Sequence, residues 1–419
     1  MNKEFVKKYG TLLLLAAGAG IIFQLPYIRE TFYVPIQNAM HLSNTQMGQL
    51  SSGYAAMATI SYFIGGLVAD KFSARKLLTF SFLATGVLGW WFSTFPSFEI
   101  ARLIFILMGV TTIITYWSAC IKATRMLGDS SEQGRLFGLQ EGLRGVLNWL
   151  LVLGMTAVFA SFGSKAAQQV IGAQWAIRVC AIAVFVIGVL NWIFIKDTKK
   201  EEQVEPLKDI VSGFFKQLAI PRVWLLVAVV FFGYSLYGIF GYINTLAINV
   251  YGLSTAAGAT LGSFRYLIQA FGGIIGGFLA DRIHSRLKVL IGGSVLTGLS
   301  YLVFLVLPST AGLLPVVLVN FVVGMFAIYL IRSVYFAIID DAGIPVSRTG
   351  RVSGIVSALG YLPDVFMYTM IGGWMDHNPG KSGFNMMFIY AIVMAVGCVV
   401  VSAILMQVIK KRKEIAEEI

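Results

Sequence analysis

Apolar runs of about twenty residues recur from one end of the chain to the other, separated by short polar or glycine- and proline-bearing turns. A helix rises about 1.5 Å per residue, so each run is long enough to cross a hydrocarbon core about 30 Å thick. The pattern predicts twelve spans, at about 10–36, 45–69, 77–95, 98–124, 135–161, 172–195, 221–251, 256–281, 288–308, 311–340, 350–375 and 382–409. Between the sixth and seventh stands the longest polar stretch, KDTKKEEQVEPLKD. It divides the chain into an N-terminal six-helix bundle (1–195), a cytoplasmic linker (196–220) and a C-terminal six-helix bundle with a basic tail (221–419). The predicted fold class is an all-α membrane protein, two bundles around a central cavity.

Composition agrees with that pattern. Of 419 residues 57% are hydrophobic and 12% charged, against roughly 25% charged in a soluble domain. Forty-four glycines suit helices that approach closely in lipid. The three cysteines, Cys120, Cys180 and Cys398, lie in apolar runs and offer neither a disulfide framework nor zinc spacing. His41, His284 and His377 stand in separate connecting segments, so no metal site is expected.

The net charge of +12 reads as loop decoration that sets orientation, not as a nucleic-acid surface. With both termini in the cytoplasm, most Lys and Arg residues fall on that side, and only Arg102, Lys165 and Lys381 lie near outer loops. A multi-pass protein of a bacterial inner membrane is expected. Met1 to Gly20 mimics a signal peptide, but the apolar run continues past any cleavage point and reads as the first span. The GKS at Gly380 to Ser382 has Met375 where a phosphate-binding loop needs glycine, which argues against ATP as the energy source. No nucleophile–base pattern occurs, so neither an enzyme nor a cofactor is expected.

The halves repeat. GGLVADKFSARKLL (Gly65 to Leu78) is echoed by GGFLADRIHSRLKVL (Gly276 to Leu290), and GRLFG (Gly134 to Gly138) by GRVSG (Gly350 to Gly354) at nearly the same offset. Parallel repeats of this kind place a substrate site near the bilayer midplane. In each long copy, glycines allow close helix approach, and an aspartate can pair with Arg75 or Arg286 or accept from a helix start. This motif resembles the signature of the major facilitator superfamily, G-x-L-A-D-[RK]-x-G-R-[RK], through Gly66, Leu67, Asp70, Lys71, Arg75 and Lys76, and again through Gly277, Asp281, Arg282, Arg286 and Lys288. Ser73 and Ser285 replace the later glycine. The resemblance implies secondary transport by rocking of two bundles, with the motif clamping the cytoplasmic side.

Several charges interrupt the apolar runs: Arg29 and Glu30 in span one, Lys122 in span four, Glu141 and Arg144 in span five, Arg265 in span eight, Arg332 and Asp340 in span ten, and Asp364 in span eleven. A charge at the bilayer centre costs about 2.5–3.5 kcal/mol even on the lenient scale, so each should face a partner or water. Arg29, Arg144 and Arg265 are the candidate substrate contacts, because guanidinium forks match oxyanions. Tyr33, Tyr237, Tyr266 and Tyr361 are candidate lining residues. Glu141 and Arg144, three apart, share a helix face and can pair. Coupling to protons needs a titrating group, and with no histidine in a span the candidates are Glu141, Asp364 and Glu30. Pro363 before Asp364 removes a helix donor and can kink its span.

YIRETFYVPIQNAM also resembles the first span of bacterial organophosphate:phosphate antiporters, in Arg29 and Phe32. WSACIKATRMLGDSSEQG is similar to their fourth, in Trp117, Cys120, Lys122 and the spacing to Gly134. Their pocket histidine corresponds to Arg144, and their span-seven arginine falls near Leu236, leaving Arg265 as a possible replacement. The expected partners are a small-molecule anion, a proton or counter-anion, and the lipid bilayer, with no nucleic acid and a monomeric chain. Three substrate readings stay open: an organic anion such as a carboxylate or phosphate ester, an inorganic oxyanion such as nitrate, and a neutral sugar or zwitterion with the arginines as internal counter-ions. A drug exporter is disfavoured, since GVLNWLLVLGMTAVFASFG lacks the G-x-x-x-G-P-x-x-G-G pattern of such proteins.

Overall fold

The computed structural model describes residues 3–129, 132–195 and 216–417. They form helices and turns, with no strand among the described residues. The helices are α1 (Lys3–Ile21), α2 (Arg29–Met40), α3 (Asn44–Lys71), α4 (Ala74–Phe92), α5 (Phe98–Gly109), α6 (Trp117–Arg125), α7 (Gln133–Ser161) and α8 (Ala166–Phe194). After the linker come α9 (Pro221–Phe240), α10 (Ile243–Asn249), α11 (Thr255–Ile283), α12 (Arg286–Val306), α13 (Leu314–Val334), α14 (Ile338–Asp341), α15 (Val346–Gly360), α16 (Pro363–His377) and α17 (Lys381–Glu417). Each predicted span coincides with a helix or a broken helix. Eight such segments among the described residues are long and apolar enough to cross a membrane. The other four predicted spans coincide with α1–α2, α3, α4 and α11.

Two compact units result, one from residues 1–204 and 254–267, the other from 205–253 and 268–419. Helix α11 therefore gives its first half, with Arg265, to the first unit.

Where the twelve-run pattern predicts unbroken helices, five spans are interrupted. Span one breaks over residues 22–28, where Pro26 lacks an amide donor and restricts the residue before it. Span four passes through a π-helical segment, Val110–Ile114. Span seven breaks at Gly241 and Tyr242, span ten over residues 335–337, and span eleven at Tyr361 and Leu362. Pro363 then occupies the first turn of α16, where a missing amide costs nothing. Spans one and four of the first half thus match spans seven and ten of the second. Interruptions in corresponding positions of two repeats mark where a membrane protein exposes backbone and polar groups to a site.

Helix starts are capped in the same repeated manner. Ser73 accepts a hydrogen bond from the Lys76 amide at 3.3 Å, and Ser285 from the Lys288 amide at 3.3 Å. The serines that replace the signature glycine are therefore N-caps of α4 and α12. Ser43 and Gln46 form a reciprocal capping box at α3. Close helix contact depends on individual glycines: a Cβ on Gly109 would lie 2.8 Å from the Met57 Cβ and 2.9 Å from the Tyr54 carbonyl oxygen, joining α5 to α3.

Candidate functional site

In the first unit the break in span one collects the buried charges. Arg29 and Glu30 open α2 and are 2% and 3% exposed, and Arg265 on α11 is 5% exposed. The Arg265 guanidinium forms an ion pair with Glu30. Its second terminal nitrogen donates to the Tyr266 hydroxyl at 2.9 Å. That hydroxyl also meets the Gln24 amide nitrogen at 2.8 Å, and Gln24 lies inside the break. A charged side chain needs this neighbourhood: a chain interruption supplies polar groups, and an opposite charge offsets the cost of leaving water. Phe32 departs from helical geometry at φ −118°, ψ 37°, and Pro35 follows within α2. Both features distort α2 itself, beyond the break that separates it from α1.

Sequence reading placed Arg29 and Glu30 on a continuous helix, about 100° apart. The structure instead seats them in the first turn of a separate half-helix after a break, so α2 and not α1 sets where they point. Tyr33 is buried and donates to the Asn44 carboxamide oxygen at 2.9 Å, tying α2 to α3.

Arg144 and Glu141 pair along α7 at 3.3 Å. Glu141 differs from the expectation of burial: 62% of its side chain stays open. Of the three candidate carboxylates, Glu30 and Asp364 are buried and Glu141 is not.

In the second unit, Asp364 is 3% exposed and accepts from the Tyr234 hydroxyl at 3.0 Å. It sits in the first turn of α16, where the helix dipole favours a negative charge. The Tyr234 ring lies 4.2 Å from that of Tyr361 and 5.8 Å from that of Tyr237, centroid to centroid. Tyr335 and Tyr361 join hydroxyl to hydroxyl at 3.2 Å. Beside them Arg332, from the last turn of α13, lays its guanidinium 4.0 Å from the centre of the Tyr237 ring. Tyr237, Tyr361 and Asp364 were legible as candidates. Arg332 was visible as a charge in span ten, but nothing in the linear sequence placed it among them.

The repeated motif is only partly described. The side chains of Gly66 and Asp70 lie outside the described residues. Arg75 stacks over Trp192, 4.2 Å from the ring centre. Lys76 is exposed. In the second copy Arg286 does not pair with Asp281, which is exposed. It reaches instead to Asp341 at 2.8 Å, Asp340 at 3.4 Å and the Ala337 carbonyl at 3.1 Å. The turn after α13 and helix α14 supply acceptors that the motif alone does not contain. Close approach also shifts by one residue. A Cβ on Gly276 would lie 3.2 Å from the Leu330 Cα, whereas one on Gly277 would meet nothing within 4 Å.

Apolar helices of membrane-crossing length, a duplicated pattern of broken spans and buried charge at the breaks define a polytopic membrane transporter. The sequence matches the Major Facilitator Superfamily over residues 9–368, and the chain belongs to that superfamily. It is 31% identical to the inner membrane protein YqcE of Escherichia coli K12 over 97% of this chain and 96% of that one. It is also 31% identical to YihN of the same organism, over 97% of each. The hexuronate transporter of Bacillus subtilis 168 is 24% identical, over 90% and 91%. Among solved structures, an inward-facing bacterial homologue of the human lysosomal transporter Spinster superposes with a TM-score of 0.77 at 16% identity, covering 98% of this chain and 99% of that chain. A D-xylose–proton symporter superposes at 0.73 and 14%, covering 95% and 97%. Those likenesses carry the fold alone.

Proposed function

We propose that this chain is a secondary transporter of a small organic anion, working as a monomer in the inner membrane and moving its substrate with a proton or against a counter-anion. One observation carries the reading. Among the described residues of the first unit, the fully buried charges are two arginines, Arg29 and Arg265, and one carboxylate, Glu30. A membrane protein that buries more guanidinium than carboxylate at a helix break has an environment suited to a visiting anion. The hexuronate transporter among its relatives is named for an anionic substrate, which supports the same class. The burial of Glu30 and Asp364 supports them as the proton-coupling carboxylates.

The test is a thermal-shift panel on the purified full-length protein, with D-glucuronate, sn-glycerol 3-phosphate, nitrate and D-glucose, on wild type and Arg29→Gln. A ligand that binds the folded state raises its apparent stability by mass action, about 2.7 kcal/mol at a hundred times Kd. An organic anion should shift the wild type and lose most of that shift on Arg29→Gln. A shift by D-glucose alone sinks the reading. It would favour a neutral substrate, for which the pairing of Arg265 with Glu30 and of Arg144 with Glu141 already offers a rationale, because each arginine then serves as an internal counter-ion.

A further inference from the structure

We propose that Arg332, set among the tyrosines of the second unit, is an anion-binding residue whose surroundings select a hydroxylated carboxylate of the sugar-acid type. This rests on the reading of the chain as an organic-anion transporter and adds to it a place and a chemical class.

Arginine stays protonated in any protein environment, so a guanidinium inside a membrane span must be offset by something. Arg265 has Glu30, Arg144 has Glu141, and Arg286 has Asp340 and Asp341. Arg332 makes no ion pair and no hydrogen bond among the described residues. A snorkelling arginine at a helix end extends toward the membrane surface. This one instead lies against aromatic rings, its guanidinium carbon 4.0 Å from the Tyr237 ring centre and 5.8 Å from that of Tyr234. A cation over an aromatic face recovers only part of the lost hydration. The side chain is half-buried, so its N–H donors remain reachable.

The surroundings describe what would complete the site. Tyr237, Tyr329, Tyr335 and Tyr361 are all electrostatic neighbours of Arg332. Tyr329 donates to the Gln269 side chain over a long 3.4 Å, and Tyr335 meets Tyr361 at 3.2 Å. Phenols at the rim exchange hydrogen bonds with hydroxyl groups, while their faces accept the C–H side of a saturated ring. A guanidinium fork takes a carboxylate in bidentate fashion. One ligand satisfying all three is a compact ring or chain bearing a carboxylate and several hydroxyls. An inorganic oxyanion would use the fork and leave the aromatic faces idle. Asp364 is tied to the far side of the cluster through Tyr234.

The experiment is calorimetric titration of the full-length protein with D-glucuronate, sn-glycerol 3-phosphate, nitrate and D-glucose, on wild type, Arg332→Gln, Arg332→Lys and Tyr329→Phe. D-glucose shares the ring and lacks the charge. We expect Arg332→Gln to weaken D-glucuronate by roughly 10–100-fold, the equivalent of one charged hydrogen-bonded contact. Arg332→Lys, which keeps charge without the planar fork, should weaken it by roughly 10-fold and serves as the deciding variant if Arg332→Gln does not fold. Tyr329→Phe should weaken D-glucuronate and leave nitrate unaffected. Wild-type affinity for D-glucuronate in Arg332→Lys and Arg332→Gln overturns the role of Arg332 while leaving the organic-anion reading intact. Equal loss of D-glucuronate and D-glucose in the variants overturns it too, because only a structural role does that. Binding of sn-glycerol 3-phosphate or nitrate in preference to D-glucuronate overturns the sugar-acid class. A wild type that binds none of the anions brings down the organic-anion reading itself, and this inference with it.

Discussion

Replacing Glu30 by Gln tests whether the ion pair at the break in span one holds the first unit together. The side chains of Glu30 and Arg265 are 1% and 6% exposed, so neither charge is offset by solvent. Removing one partner of such a pair leaves the other buried without its counter-charge, at a cost of about 3–5 kcal/mol. For a unit of about two hundred residues each kcal/mol moves Tm by about 2–4 °C, which gives a fall of roughly 6–20 °C. The assay is thermal unfolding of the full-length protein in lipid nanodiscs, followed by intrinsic fluorescence, on wild type, Glu30→Gln, Arg265→Gln and the double variant. Because the double variant strands no charge, it should be more stable than the sum of the single losses implies, by about 2 kcal/mol or more. If the single losses simply add, with a coupling below about 0.5 kcal/mol, the pair is a geometric coincidence and the account of the break is wrong.

Two further outcomes follow from packing and charge. Gly109→Ala should destabilise by about 1–3 kcal/mol in the same assay, since the new methyl meets the backbone of α3 at Tyr54 and Ala58, which cannot swing aside as a side chain can. An unchanged Tm would mean that α3 and α5 have slack there. By the positive-inside tendency, the basic residues of the tail and of the loops after even-numbered spans are expected to put both termini in the cytoplasm. A fluorescent reporter that matures only in the cytoplasm should therefore glow when fused to Ile419, and a dark fusion made at normal levels would reverse the orientation.

The sequence by itself determined the membrane class, the positions of the spans and the duplication, because these are one-dimensional properties. Hydropathy over twenty residues decides whether a helix can lie in lipid, and a repeated motif is visible wherever the copies fall. Pro363 was legible as a kink in span eleven, whereas the breaks holding Pro26 and Gly241 were read as continuous helix, and span ten breaks at SVYFA without proline or glycine. Charges inside spans were equally legible as charges. Their partners were not. Gln24 and Tyr266 meet across 242 residues of chain, and Glu30 finds Arg265 on the same helix. Arg286 chose the aspartates of α14 over the Asp281 of its own motif. Only the tertiary structure decides such pairings, because the low-dielectric interior fixes which charges meet by how helices pack and break, and no local pattern encodes that distance. The same holds for Arg332: its residue type promised a cation, and its fold onto Tyr237 supplied a site.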